Sequence, residues 1–269
     1  MNQEVLDKLH KCMVEIYLEI ARICDKHRLL YFAVGGTLLG AVVHAGFIPW
    51  DDDLDIAMPR DDYDKFIAIC RDELDSRFYL HHTSTDEDYW LPFIKVRRNN
   101  TVFLEEKRKK VKSHAGVYVD IFPFDYSLKK NTLSHKFKWR LITYLNNHIN
   151  KKVTGNIVKS KSGILLSKLF DCFSVKTLSK FRDKIMRSFD CSKRKLFVDL
   201  AGGRRLDNSY FNIEDIFPIT ELSFGSIKIK TPSNAEKYLL QLYGERYVVI
   251  PPVEEQVTHD SIEIVFSDE

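Results

Sequence analysis

The feature that most constrains this chain is the run "PWDDDLDIAMP" (49–59), where Asp51, Asp52, Asp53 and Asp55 lead straight into an apolar segment. "LDIAM" (54–58) reads as the interior of a buried strand that Pro59 ends. Side chains alternate on a strand, so Asp53 and Asp55 share one face while Leu54 and Ile56 enter the packing. Their Cα atoms would lie about 6.6 Å apart by strand rise alone. At an effective dielectric of about 20, carboxylates about 4–7 Å apart repel by about 2–4 kcal/mol. A domain with about 5–15 kcal/mol of net stability keeps such a cluster only if something neutralises it. A hard divalent cation with oxygen ligands, Mg2+ or Mn2+, is the economical answer. Asp51 and Asp52 precede the strand and read as solvated loop acids or as groups that orient their neighbours.

Two more signals point the same way. "GVYVDIFPFD" (116–125) places Asp120 between Val119 and Ile121 inside another apolar strand. A lone aspartate there is costly unless it is metal-bound, hydrogen-bonded as a cap, or paired with a cation such as Lys95 or Arg97. Upstream, Gly35-Gly36 closes the apolar strand "LLYFAV" (29–34) and opens a short helix, "TLLGAVVHAG", with Gly46 as its stop. Glycines at that junction let backbone N–H groups approach a phosphate at the positive end of the helix dipole. A phosphate cradle followed by metal carboxylates is the equipment of phosphoryl or nucleotidyl transfer, where positioning and charge neutralisation carry the catalysis.

The rest of the chain supplies a frame. Residues 3–27 repeat Val5, Leu9, Met13, Ile16, Ile20 and Ile23 at helical spacing, and "RDDYDKFIAICRDEL" is a second amphipathic helix. Strands are predicted at 78–81, 93–97, 101–105 and 117–122, with Lys95 and Arg97 sharing the face opposite Ile94 and Val96. The stretch 127–195 turns helical and basic, and the end returns to mixed structure with a hairpin arm, "FGSIKIKTP", and a helix stopped by Gly244. The reading is an α+β protein: a mixed-sheet core (1–126), a basic helical section (127–195) and a C-terminal mixed α/β segment (196–269) packed on the core.

Composition bounds the function. The sequence has no uninterrupted apolar run near about 20 residues, which excludes a spanning helix, and acids stand where a signal peptide needs a basic leader. A cytoplasmic protein is expected. Five cysteines without zinc-like spacing read as reduced, mostly buried thiols. A net charge of +3 does not imply nucleic-acid binding. The basic runs 107–112, 128–130 and 151–161 read as solvated loop charge, or as attraction to a phosphate-rich substrate or the inner face of an anionic membrane.

The segment "GGTLLGAVVHAGFIPWDDDLDIAMPRDDYDKF" (35–66) resembles the signature of the LicD family, supported by "FIKVRRNNT" (93–101), "GVYVDIFPFD", "LYGERYVVIPP" (242–252) and His259. The resemblance implies a nucleotidyltransferase-like fold and transfer of a phospho-substituent, typified by phosphocholine from CDP-choline, onto a hydroxyl of a surface-glycan or lipid-linked glycan precursor, with release of CMP. Some relatives hand on polyol phosphates instead. It assigns Asp53, Asp55 and Asp120 as the metal-binding, catalytic carboxylates, and Gly35, Gly36 and the adjoining Thr37 as the phosphate loop. Lys95 and Arg97 are candidates to balance phosphate charge or to form ordinary ion pairs. His259 is a candidate for contact with donor or acceptor, or a hydrogen-bonded structural histidine, and His44 is read as a helix cap. Val43 stands where many members carry a basic residue. A choline cargo calls for an aromatic cage, for which Trp50, Tyr89, Trp90 and Trp139 are available. The rival readings are transfer of a nucleoside monophosphate with release of pyrophosphate, a metal-dependent glycosyltransferase, and a catalytically silent scaffold at a lipid surface.

Overall fold

The structure, a computed structural model, describes residues 2–155, 170–189, 193–256 and 258–266. Part of the basic run, 156–161, and Cys191 lie outside the described residues. Helix α1 (Gln3–His27) starts where the Asn2 side chain accepts from Val5 N at 2.8 Å and stops at Arg28 in the left-handed region. Its Leu9, Met13, Ile16, Ile20 and Ile23 are fully buried against the main sheet. Each such side chain contributes about 1.5–3 kcal/mol of burial.

That sheet is mixed. It contains β1 (Phe32–Ala33), β2 (Asp55–Pro59), β3 (Phe78–His81), β4 (Ile94–Arg98) and β6 (Tyr118–Ser127), in the order β1-β2-β6-β4-β3. The pair β2–β6 is parallel and the other pairs are antiparallel. Strand β5 (Val102–Glu105) sits outside this sheet. Helix α2 (Gly35–Val43) fills the β1–β2 connection, and α3 (Arg60–Glu73) follows β2 directly. The stop of α2 differs from expectation in detail: Val43 is its last residue, His44 is the C-cap, Ala45 takes the positive φ, and Gly46 N closes onto Gly40 O at 3.3 Å.

Strand β6 runs past Pro123 to Ser127, beyond the expected end at 122. Its residues 118–121 pair with β4 and 124–127 with β7 (Leu196–Asp199), while β2 covers 120–124. Because a strand has only two edges, β4 and β7 lie end to end opposite β2. Strand β8 (Tyr210–Asn212) pairs with β7, so the sheet continues past residue 126 into the C-terminal segment. Helices α4 (Leu133–Thr154) and α5 (Val175–Arg187) pack on β7 through Ile142, Met186, Phe189 and Val198. A one-turn helix, α6 (Ile213–Ile216), leads to the hairpin β9 (Thr220–Phe224)–β10 (Ile227–Thr231) and to α7 (Ala235–Tyr243), which Gly244 stops. Strand β11 (Ser261–Val265) returns to pair with β5. Among the described residues no helix is long and apolar enough to cross a membrane. Cys12, Cys24 and Cys70 are buried thiols, and removal from water pushes Cys12 up to about 12. Cys172 is exposed.

One buried ion pair ties α3 to β6: Arg60 Nε and Nη2 donate to both Asp125 oxygens at 2.7 and 2.8 Å. Asp125→Ala would leave Arg60 charged and buried, and should lower stability by about 3–5 kcal/mol in chemical denaturation.

Candidate active site

Three strands set the centre. Asp55, the first residue of β2, is the register partner of Asp120 in β6, and Asp120 is the register partner of Lys95 in β4. The three therefore form one row across the sheet. Lys95 Nζ donates to both oxygens of Asp120 at 2.5 and 2.8 Å, and lies 3.3 Å from the Tyr118 ring centroid. Burial drives Lys95 down to about 8 despite the Asp120 charge beside it. Asp53 lies just before β2, not within it, and still reaches the same cavities as Asp55.

The start of α2 faces this row. Val34, its N-cap, offers no side-chain acceptor, which leaves the first-turn N–H groups for an anion. Asp55 N donates to Thr37 Oγ1 at 2.7 Å, and Val34 N donates to Asp55 O at 3.2 Å, so α2 and β2 are clipped together. Gly35 has φ +57, and a Cβ there would lie 3.3 Å from Asp55 Oδ2 and 3.7 Å from Arg204 Nη2. A Cβ on Gly36 would meet Asp51 Oδ2 at 2.7 Å. The glycine pair is therefore required by the carboxylates themselves, as well as by any phosphate drawn to the helix end.

Removal from water and mutual repulsion push these acids toward the neutral form. Asp51 rises to about 8, first from burial and then from the charges of Asp53 and Asp52. Burial likewise raises Asp53, against the pull of His259, and raises Asp55 well above the carboxylate range, with Asp53 and Asp120 adding to it. His259 crosses over from the C-terminal segment. Its backbone N–H and Nδ1 meet Asp52 at 2.9–3.1 Å, while Nε2 lies 3.9 Å from Asp53 Oδ2. Burial opposes the charged imidazole, but the Asp52 hydrogen bond and the Asp53 and Asp52 charges outweigh it and raise the pKa.

Two cavities meet at this wall of acids. One, about 500 Å3, is lined by Gly36, Asp51, Asp53, Asp55, Lys107, Arg204 and Tyr243. The other, about 430 Å3, is lined by Asp53, Asp55, Asp120, Phe93, Asn150 and Gly202. His259 borders both. A third cavity, about 480 Å3 between α3 and α5, contains none of the acids marked by sequence, and its Asp64, Asp183 and Glu87 are bonded to Arg187 and Lys176.

The acids fit a divalent cation in chemistry and only partly in number. All are hard oxygen donors, but Asp52 is bonded to His259. Among the described residues, however, no three His, Cys, Asp or Glu side chains are grouped to hold a metal ion. Asp120 is engaged by Lys95, which leaves Asp53 and Asp55. Mg2+ commonly takes one or two carboxylates and completes its shell with substrate phosphates and water. Two acids beside an anion-attracting helix start suit a cation held jointly with a phosphate-bearing donor.

Among the other candidates, Arg97 does not reach the site. It is buried, with Nε donating to His81 Nδ1 at 2.8 Å and Nη1 to Gly116 O at 2.5 Å. The aromatic candidates do not converge. Trp90 lines the cavity with Asp120, Tyr89 is fully buried and bonded to Phe93 O, Trp50 meets His44 edge-on, and Trp139 donates to Arg204 O. Sequence reasoning missed Arg204, and it quoted Tyr243 within "LYGERYVVIPP" without giving it a role. The signal was "LFVDLAGGRR" (196–205), a second apolar strand followed by a glycine pair and two arginines.

Residues 28–154 match the family described as "LicD/FKTN/FKRP, nucleotidyltransferase domain", which defines the class of the fold carrying the acids. Residues 28–154 thus carry a LicD-type domain. The chain is 27% identical over 255 residues to the lipopolysaccharide cholinephosphotransferase LicD of Haemophilus influenzae, covering 88% of this chain and 89% of that protein. It is also 23% identical over 185 residues to an uncharacterized protein of Rickettsia typhi, covering 61% of this chain and 59% of that one.

The raised acid pKa values make a directional prediction. A carboxyl whose folded pKa exceeds its unfolded value stabilises the fold at low pH and loses that contribution as pH rises through the folded pKa. Without divalent cations, Tm should fall as pH rises from about 4, the ordinary aspartate value, through about 8, the value to which Asp51 is raised, with about 2–4 °C lost per kcal/mol. Added Mg2+ should reverse the fall at the upper pH in thermal unfolding.

Proposed function

We propose that this protein transfers a phospho-substituent, foremost phosphocholine from CDP-choline, to a hydroxyl of a cell-surface glycan precursor and releases CMP. The observation that carries the reading is the facing of Asp53 and Asp55 with the Gly35-Gly36 start of α2, in a cavity that also holds Arg204. The Haemophilus influenzae relative, named for cholinephosphate transfer on lipopolysaccharide, supports the choice of cargo and acceptor.

Asp53 and Asp55 would hold Mg2+ or Mn2+, which when bound screens the charge of the donor pyrophosphate. The N–H groups of Gly35 and Gly36 bind phosphate oxygens, and Arg204 and Lys107 add positive charge on the same side. Asp52 orients His259 beside Asp53. The acceptor hydroxyl oxygen bonds to the substituted phosphorus, the bond from that phosphorus to the CMP oxygen breaks, and CMP leaves with its electron pair. Asp120, fixed by Lys95, takes the hydroxyl proton. A basic approach to a lipid-linked acceptor at a membrane face belongs to the same reading, and loss of flotation with anionic liposomes at low salt would remove it.

A screen of CDP-choline, CDP-ribitol and CDP-glycerol tests the assignment by product. CMP with a modified acceptor supports it, whereas pyrophosphate indicates monophosphate transfer and no nucleotide or Mg2+ binding indicates a silent scaffold. Asp53→Asn and Asp55→Asn should each cut turnover about a thousand-fold or more with folding retained. Arg204→Gln should raise the KM for donor about ten- to hundred-fold, since a charged hydrogen bond contributes about 1.5–3 kcal/mol.

A further inference from the structure

The second cavity differs in kind from the first. Its floor holds Asp53, Asp55 and Asp120, but its walls are the half-buried rings of Phe93 and Phe122 on one side and Asn147 and Asn150 of α4 on the other. The rings pack at 4.4 Å between centroids, which makes a single apolar surface. The amides of Asn147 and Asn150 have no side-chain hydrogen bond among the described residues, and Asn147 is exposed. Arg182 clamps the walls at a set width. Its Nη1 donates to Trp90 O at 2.7 Å and Asn146 Oδ1 at 3.0 Å, and its Nη2 donates to Leu91 O at 2.9 Å.

We infer that this groove is the acceptor subsite, that it takes a carbohydrate ring, and that Asn147 and Asn150 select it. The inference rests on the transfer reading above and goes beyond it in naming where the acceptor lies and what reads it. A pyranose has an apolar C–H face, which suits the Phe93–Phe122 surface, and an edge of hydroxyls, which suits amides that both donate and accept. A polyanion is disfavoured because the floor is acidic and Arg182 on the walls spends its Nη donors on carbonyl and amide oxygens. An acyl chain is disfavoured by the same amides and carboxylates. A ring seated here points a hydroxyl at Asp120, with the donor phosphate approaching from the Gly36 and Arg204 side.

The test is equilibrium binding of deacylated lipopolysaccharide core oligosaccharide, read by ligand-observed NMR or calorimetry. The proteins are the intact chain, Asn147→Ala, Asn150→Ala and the double variant. The double variant should bind about tenfold more weakly, with thermal unfolding unchanged. Equal binding by all four proteins, or none by the unmodified chain, overturns the inference. The transfer reading is scored separately by CDP-choline binding to the unmodified chain, so a failed donor assay and a failed groove are told apart.

Discussion

The parallel pairing of β2 with β6 is the constraint on which the site depends. Its register sets Asp55 beside Asp120, and the antiparallel neighbour β4 brings Lys95 to the far side of Asp120. One row thus carries two acids and one base, with Asp51, Asp52 and Asp53 crowding the end at which β2 begins. In a partly desolvated setting such charges interact several-fold more strongly than in water. The fold answers with the N-terminus of α2, with Arg204, and with His259 held by Asp52. What remains uncompensated lies where Asp53 and Asp55 open onto two cavities.

Two of the groups that answer the acids come from the C-terminal segment. Arg204 sits in the turn that follows β7, and its position depends on β7 pairing with the second half of β6. His259 arrives because β11 pairs with β5, placing Ser261 opposite Glu105, while Glu106 N donates to Asp260 O at 2.9 Å. The site is therefore complete only when the C-terminal segment has closed on the sheet. The carboxylates thus stand between a lobe that holds Lys107 and Arg204 and a lobe of aromatic rings and amides.

Much of this was legible because buried acids are anomalies. Asp53, Asp55 and Asp120 stand out in apolar strands, and a glycine pair between a strand and a helix has few explanations. The structure brings all of them to one place. Lys95 and Arg97 show the limit. Alternation puts both on one face of β4, yet only register separates their fates. Lys95 falls opposite Asp120, while Arg97 falls opposite Tyr118 and turns to His81 and Gly116. Asp52 was readable as a loop acid or as an orienting group, and its burial under His259 decides for the second.

By itself the sequence determined which residues cannot rest without a partner, because apolar periodicity marks the core and a carboxylate inside it is costly wherever the chain goes. It also determined the α+β class, since helical and strand periods are local properties. Only the tertiary structure decided who the partners are. Lys95 for Asp120, His259 for Asp52, and Arg204 beside Gly35 are contacts between strands and loops far apart in the chain. Their pairing depends on sheet register and strand order, which no local pattern encodes.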